Sequence, residues 1–231
     1  MLGYTFIYLV CIFLIWGALR VYVFTLGFHE DHAIRLLTSS GASFDDKVVV
    51  LTESPLITAT KKAIRNLKVF TTKMGIGEPL VVKVPPSLNE GISTLLEVFS
   101  YDAEYILGLL GGTGYLIVFT LIALVLSGKN AKIYIYPEAS NIPEILIDKY
   151  VLNTLRRLPT ETELMVLNEI VKAPGITDEE IAVIIGKKVK TVRNIVTELN
   201  KSGLIIKRGR RGGIYPTEWG KVIALINKLK N

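Results

Sequence analysis

The chain has 231 residues, 50% apolar and 21% charged, a balance that packs into globular structure and excludes a disordered chain. Its formal charge of +6 is uneven: residues 1–150 carry 12 Lys and Arg against 13 Asp and Glu, and residues 151–231 carry 15 against 8, so only the last third calls for a polyanionic partner. The single cysteine, Cys11, excludes disulfide scaffolds and Cys-based zinc sites, and having only His29 and His32 excludes a histidine-dependent nuclease centre in the C-terminal half.

The length fits two modest domains after an apolar start. Met1–Leu19 contains no charged side chain. A membrane span needs ~20 apolar residues, so this run is of borderline length. It lacks a basic leading region and a small-x-small cleavage signal, which argues against a secretory signal peptide. Two readings stand: a single N-terminal membrane anchor with Arg20 on the cytoplasmic side, or a mis-annotated start. Both place residues 20–231 in the cytoplasm, and a membrane partner is expected only under the first.

From Arg20 to about Tyr150, strand-length apolar runs alternate with helix-length segments. The strands are VYVFTLG (21–27), KVVVLTES (47–54), LVVKV (80–84), EYILGLL (104–110) and AKIYIY (131–136). Helices are expected over Asp31–Thr38, Ile57–Met74, Leu88–Phe99 and Tyr115–Leu126. Nearly continuous apolar strands in this alternation predict a parallel, Rossmann-like α/β sheet covered on both faces. The helix within LIVFTLIALVL is too short for a bilayer and reads as a buried core helix.

Open sheets of this kind bind ligands beyond the carboxyl ends of their strands. That rule selects the loops Gly27-Phe28-His29-Glu30, Glu53-Ser54-Pro55 and Gly111-Gly112-Thr113-Gly114, with Leu26 at the edge of the first. Glycines let a backbone approach a ligand, and free N–H groups at a helix start favour phosphate. Glycines at such a turn also serve simply to turn the chain. The dinucleotide fingerprint is a poor match, because Gly27 stands after the first strand without its two companions. Glu138 offers only a weak imitation of the ribose-binding acid. His29 reads as a ligand contact or a loop histidine rather than a general base, since no paired nucleophile is visible; Thr113 reads as a hydroxyl donor, and Glu30 and Asp31 as helix caps. No catalytic residue and no metal site is assigned.

Residues 151–231 form the second expected domain, entered through a linker, LNTLRRLPT (152–160). Thr160 with Glu163, and Thr177 with Glu180, form capping-box patterns that start two helices. Gly186 stops the second. A third helix runs from about Lys190 to Lys201, with Val192, Ile195, Val196 and Leu199 on its inner stripe. A strand (204–208), a basic tip (GRRGG, 209–213), a returning strand (214–217) and a last helix complete a winged helix-turn-helix. Lys190, Thr191, Arg193, Asn194 and Thr197 then face the major groove, flanked by Lys187, Lys188 and Lys201, while Arg208, Arg210 and Arg211 meet phosphate or minor groove. From Lys187 to Arg211 nine basic residues stand against one acid, Glu198. About six neutralised phosphates per protomer pair would make affinity fall steeply with salt.

The segments FTLGFHEDHAIRLL, GLLGGTGYLIVFTLIAL and TDEEIAVIIGKKVKTVRNIVTELNKSGLIIKRGRRGG occur in an order and spacing that resembles the CRISPR-associated regulators of archaeal type I-A systems, which join a CARF domain to a winged helix. The resemblance covers about residues 20–231. It implies a homodimer that binds cyclic oligoadenylate, with cyclic tetra-adenylate the leading candidate, across its two-fold axis, and that acts at promoter DNA of CRISPR genes. The family's two ligand loops correspond to Gly27-Phe28-His29 and Gly111-Gly112-Thr113-Gly114. Tyr115 and Leu116 depart from the larger polar residues that relatives carry after the second loop, and the apolar Met1–Leu19 run is foreign to the family. Two alternatives remain open: a CARF ring nuclease that cleaves its ligand, with Thr113 and His29 as candidates, and a transcription factor that senses another metabolite.

Overall fold

The strands at the centre of the first unit lack polar alternation and are buried on both faces. The computed structural model describes residues 19–137, 143–209 and 213–229, with side chains through Ile226. Residues 1–18 of the expected anchor, Glu138, Arg210 and Arg211 lie outside the described residues. The chain falls into two compact units, Met1–Asp148 and Lys149–Asn231.

In the first unit β1 (Arg20–Thr25), β2 (Lys47–Glu53), β3 (Leu80–Val84), β4 (Glu104–Leu109) and β5 (Ala131–Ile135) are parallel, and β6 (Ile145–Ile147) runs antiparallel to β5. The sheet order is β3-β2-β1-β4-β5-β6. Strand β6 has no counterpart in the sequence reading, because three residues carry no period. Helices α1 (Asp31–Ser39), α2 (Thr58–Lys73), α3 (Leu88–Val98) and α4 (Gly114–Ser127) follow the first four strands in turn. Tyr22, Phe24, Val48 and Val50 pack with Ala33, Leu36 and Leu37 of α1 and with Ala63 and Leu67 of α2. Val23 and Leu107, adjacent in register, point to the opposite face by the strand period and are fully buried, as are Leu95 of α3 and Leu116 and Leu124 of α4.

Helix α4 departs from the expectation of a buried core helix. Leu116, Ala123 and Leu124 are buried, but Val118, Ile122 and Leu126, at i, i+4 and i+8, are 52%, 38% and 65% exposed. The helix is apolar nearly all round, yet the described residues cover only one side of it. Among the described residues no helix is long and apolar enough to cross a membrane.

Arg20 fastens the start of β1. Its Nε and Nη2 donate to the two oxygens of Asp46 at 3.0 and 2.7 Å, and its Nη1 and Nη2 donate to the Ser40 and Gly41 carbonyls at 3.0 and 2.8 Å. Asp46 is buried and also accepts from the Ser43 amide at 2.7 Å.

The second unit begins with α5 (Lys149–Arg156), which corrects the linker expected over 152–160. Asn153 and Thr154 are poor helix formers, but burial of Leu152 and a hydrogen bond from Trp219 Nε1 to Thr154 Oγ1 override that propensity. Then come α6 (Glu161–Lys172), α7 (Asp178–Ile185), α8 (Val189–Lys201), the hairpin β7 (Ile205–Lys207) and β8 (Ile214–Pro216), and α9 (Glu218–Leu229). Both expected capping boxes are formed, Thr160 with Glu163 and Thr177 with Glu180. Gly186 ends α7 with φ +64°, in the left-handed region that glycine adopts without strain. One core joins Leu164, Leu167 and Ile170 of α6, Ile181 of α7, Val192, Val196 and Leu199 of α8, and Ile205, Ile214 and Ile223.

Replacing Asp46 by Ala removes a buried carboxylate and strands four donors of Arg20 and Ser43. Because Arg20 is a quarter exposed, the expected loss is about 2–4 kcal/mol, below the full cost of breaking a buried pair. Urea unfolding followed by circular dichroism checks it.

Candidate ligand cleft and DNA-binding face

The order of the sheet reverses direction between β1 and β4, which lie side by side. Their exit loops therefore leave the same end of the sheet together, at the switch point where open sheets bind ligands. The buried Thr25 Oγ1 accepts from the Leu110 amide at 3.2 Å and fixes the second loop to the end of β1. The loops then touch backbone to backbone. A Cβ on Gly27 would lie 2.8 Å from the Gly112 nitrogen, and Gly111 and Gly112 hold φ of +145° and +99°. Only glycine meets both demands.

Beyond these loops opens a cleft of about 760 Å³ lined by Gly27, Phe28, His29, Asp31, His32, Glu53, Leu110, Gly111, Gly112, Thr113 and Tyr136. Thr113 is the N-cap of α4, yet its side chain makes no cap bond, and its Oγ1 is buried with no hydrogen-bond partner among the described residues. The helix start supplies unpaired N–H groups and the positive end of a dipole beside that hydroxyl. Phe28 stands 59% exposed at the cleft. Tyr136 stacks on His32 with ring centroids 4.8 Å apart, and the Arg35 guanidinium lies 5.8 Å from the Tyr136 ring. Burial, together with the nearby Glu144 carboxylate, pushes the Tyr136 phenol up to about 12, so it stays a neutral donor at physiological pH. Among the described residues the lining carries the acids Asp31 and Glu53 and no Lys or Arg. A phosphate there would be met by amide N–H groups rather than by cations.

Of the residues expected to bind ligand, Gly27, Phe28, His29, Gly111, Gly112 and Thr113 line the cleft. Leu26 is 1% exposed beneath it. Ser54 and Pro55 are exposed but off the lining, where Glu53 of the same turn stands instead, and Gly114 begins α4 outside it. Glu30 occupies the N-cap of α1 but does not cap with its side chain, which accepts from Asn66 Nδ2 at 2.7 Å. The sequence reading missed His32, Leu110 and Tyr136 and read Asp31 only as a cap. The strand-end rule, applied to β5 as it was to β1, β2 and β4, would have reached Tyr136.

In the second unit Lys187, Lys188, Lys190, Thr191, Arg193, Asn194, Thr197 and Lys201 are all exposed on α8 or the turn before it, and Arg208 is exposed at the wing over the Tyr215 ring, 4.8 Å from its centroid. The sequence count of one opposing acid needs correction. Arg193 pairs with Glu179 and Lys207 with Asp178, both from the start of α7, and Lys201 pairs with Glu198. Lys187, Lys188, Lys190 and Arg208 have no acid partner among the described residues.

Residues 20–146 match the family model of the Csa3 CRISPR-associated Rossmann-like domain, and residues 159–206 match a winged helix-turn-helix DNA-binding model. The CRISPR locus-related protein Csa3 of Saccharolobus solfataricus is 24% identical over 212 residues, 91% of this chain and 90% of that one. Among solved structures, the transcriptional regulator SlyA matches at 25% identity and TM-score 0.32 over 34% of this chain and 59% of its own. FabT of Streptococcus pneumoniae, solved with DNA, matches at 19% and 0.29 over 32% and 56%. Can2 of Sulfobacillus thermosulfidooxidans, solved with cyclic tetra-adenylate, matches at 14% and 0.42 over 89% of this chain and 63% of its own. This chain thus spans less than two thirds of each of those three. The Rossmann-like match takes in more than half of the sequence, and the chain belongs to the Csa3 family of CRISPR-associated proteins, with a winged helix-turn-helix behind its Rossmann-like domain.

Proposed function

We propose that two copies of this chain bind CRISPR promoter DNA through their winged helices and that cyclic oligoadenylate, with cyclic tetra-adenylate first to be tested, occupies the glycine-lined clefts and changes that binding. The supporting observation is the contact of Gly27 with Gly111 and Gly112 at the start of α4. It presents backbone donors and the Thr113 hydroxyl to a phosphate-bearing ligand. Phe28 offers an open aromatic face for a base. The apolar stripe Val118, Ile122 and Leu126 on α4, left open among the described residues of one copy, suits burial against a second. A two-fold pair reads half-sites about one helical turn, ~34 Å, apart, so the operator is a palindrome. Cleavage of the ligand asks for cationic stabilisation, and the cleft lining offers neither Lys nor Arg.

A gel-shift titration of a CRISPR-promoter duplex, with and without cyclic tetra-adenylate, tests the whole reading. The expected result is a change in affinity or footprint with ligand; an identical titration removes the sensing half. Lys190→Gln should weaken binding to every duplex alike and reduce the salt slope by about 0.9 per protomer, as the loss of one phosphate contact does. Phe28→Ala should weaken cyclic tetra-adenylate binding by roughly tenfold, the scale of one lost base–aromatic stack, with Phe28→Tyr close to the unaltered protein. Because the described lining of the cleft holds no Lys or Arg, ligand affinity should vary far less with salt than DNA affinity does. Calorimetry at two salt concentrations checks both.

A further inference from the structure

Three acids open α7, and the structure gives each a different task. Glu180 closes the capping box on Thr177. Asp178 is 7% exposed. Its Oδ2 takes a hydrogen bond from Lys207 Nζ of the wing strand at 2.5 Å and lies 3.7 Å from Arg193 Nε of α8, and its Oδ1 has no hydrogen-bond partner among the described residues. Glu179 accepts from Arg193 Nη2 at 2.5 Å through an open contact, the two side chains being 57% and 58% exposed. Its own backbone N–H, and then Arg193, hold the Glu179 carboxyl below the ordinary carboxylate range, so it is charged wherever the protein meets DNA.

Arg193 is the arginine among the outward residues of α8, on the same face as Lys190 and Thr197. Its guanidinium is nevertheless drawn back along the protein onto the start of α7. A side chain placed to take a DNA phosphate already holds an anion. The two anions use the same planar donor fork, so Arg193 cannot serve both fully. Asp178 is buried and anchored by Lys207, so it orients the guanidinium; Glu179 is exposed and exchangeable.

We propose that Glu179 is a counter-ion that competes with DNA phosphate for Arg193 and thereby sets the affinity of the winged helix for duplex. The proposal rests on the DNA-binding reading above. An exposed ion pair is weak, so a phosphate displaces it at small cost, and its removal raises affinity between about two- and fivefold per protomer. Removing an acid near DNA also strengthens binding by general electrostatics, whether or not it touches Arg193. The competition is therefore separated from that effect by a double-mutant cycle.

The experiment uses the full chain and a fluorescently labelled CRISPR-promoter duplex, with binding read by anisotropy at two salt concentrations. Four proteins are compared: unaltered, Glu179→Gln, Arg193→Gln and the double variant. Thermal melting confirms that each is folded; both altered side chains are exposed, so melting should barely move. The expected result is tighter binding by Glu179→Gln at low salt, a smaller gain at high salt, and no gain in the Arg193→Gln background. An equal gain in both backgrounds, or no gain in either, overturns the competition while leaving DNA binding in place. Absence of duplex binding by the unaltered, folded protein overturns the DNA-binding reading and this inference with it.

Discussion

The first unit depends on one close approach, that of the Gly27 backbone to Gly111 and Gly112. A parallel sheet whose order reverses at β1 and β4 sends two loops out of the same end, and side chains would normally hold them apart. Here a single Cβ would collide with the Gly112 nitrogen. With three glycines the loops close on each other, Thr25 pins the second to the first strand, and α4 begins at their edge. The result is a cleft whose floor is backbone and whose walls are Phe28, His32, Tyr136 and two acids. Under the proposed function, such a cleft would select its ligand by hydrogen-bond donation and stacking, which suits a phosphate-bearing molecule with several bases.

The second unit manages charge in the opposite way. Its third helix and wing are crowded with Lys and Arg, which call for nearby acids. Asp178 and Glu179 supply them at the N-terminus of α7, where the helix dipole favours negative charge. Under the proposed function, Arg193 is drawn on both by these acids and by DNA phosphate. Lys187, Lys188 and Lys190 of the turn and α8 have no acid partner among the described residues, and under the proposed function they meet the duplex.

Much of this was legible in the residues. The five parallel strands are long, apolar and bounded by turns, so their existence and order could be read directly. Thr160 with Glu163 and Thr177 with Glu180 placed two helix starts correctly because a capping box is a local, side-chain-to-backbone device. What failed was decided by tertiary contact. Helix α5 forms from a poor helical sequence because Leu152 is buried and Thr154 binds Trp219. Strand β6 is three residues long and exists by pairing with β5. The exposed stripe of α4 is invisible in a sequence that is apolar on every face. In the cleft, glycine loops announced themselves, whereas Tyr136 and His32 meet only through folding. The pairing of Arg193 with Glu179 joins residues 14 apart and reverses the impression of an uncontested basic helix.

Under the proposed function, a phosphate-bearing ring is held by the glycine loops of two copies at once. Isothermal titration of cyclic tetra-adenylate into the full chain tests it through stoichiometry. Saturable heat with one ring per two chains is expected. One ring per chain, or no heat of binding from folded protein, would contradict it.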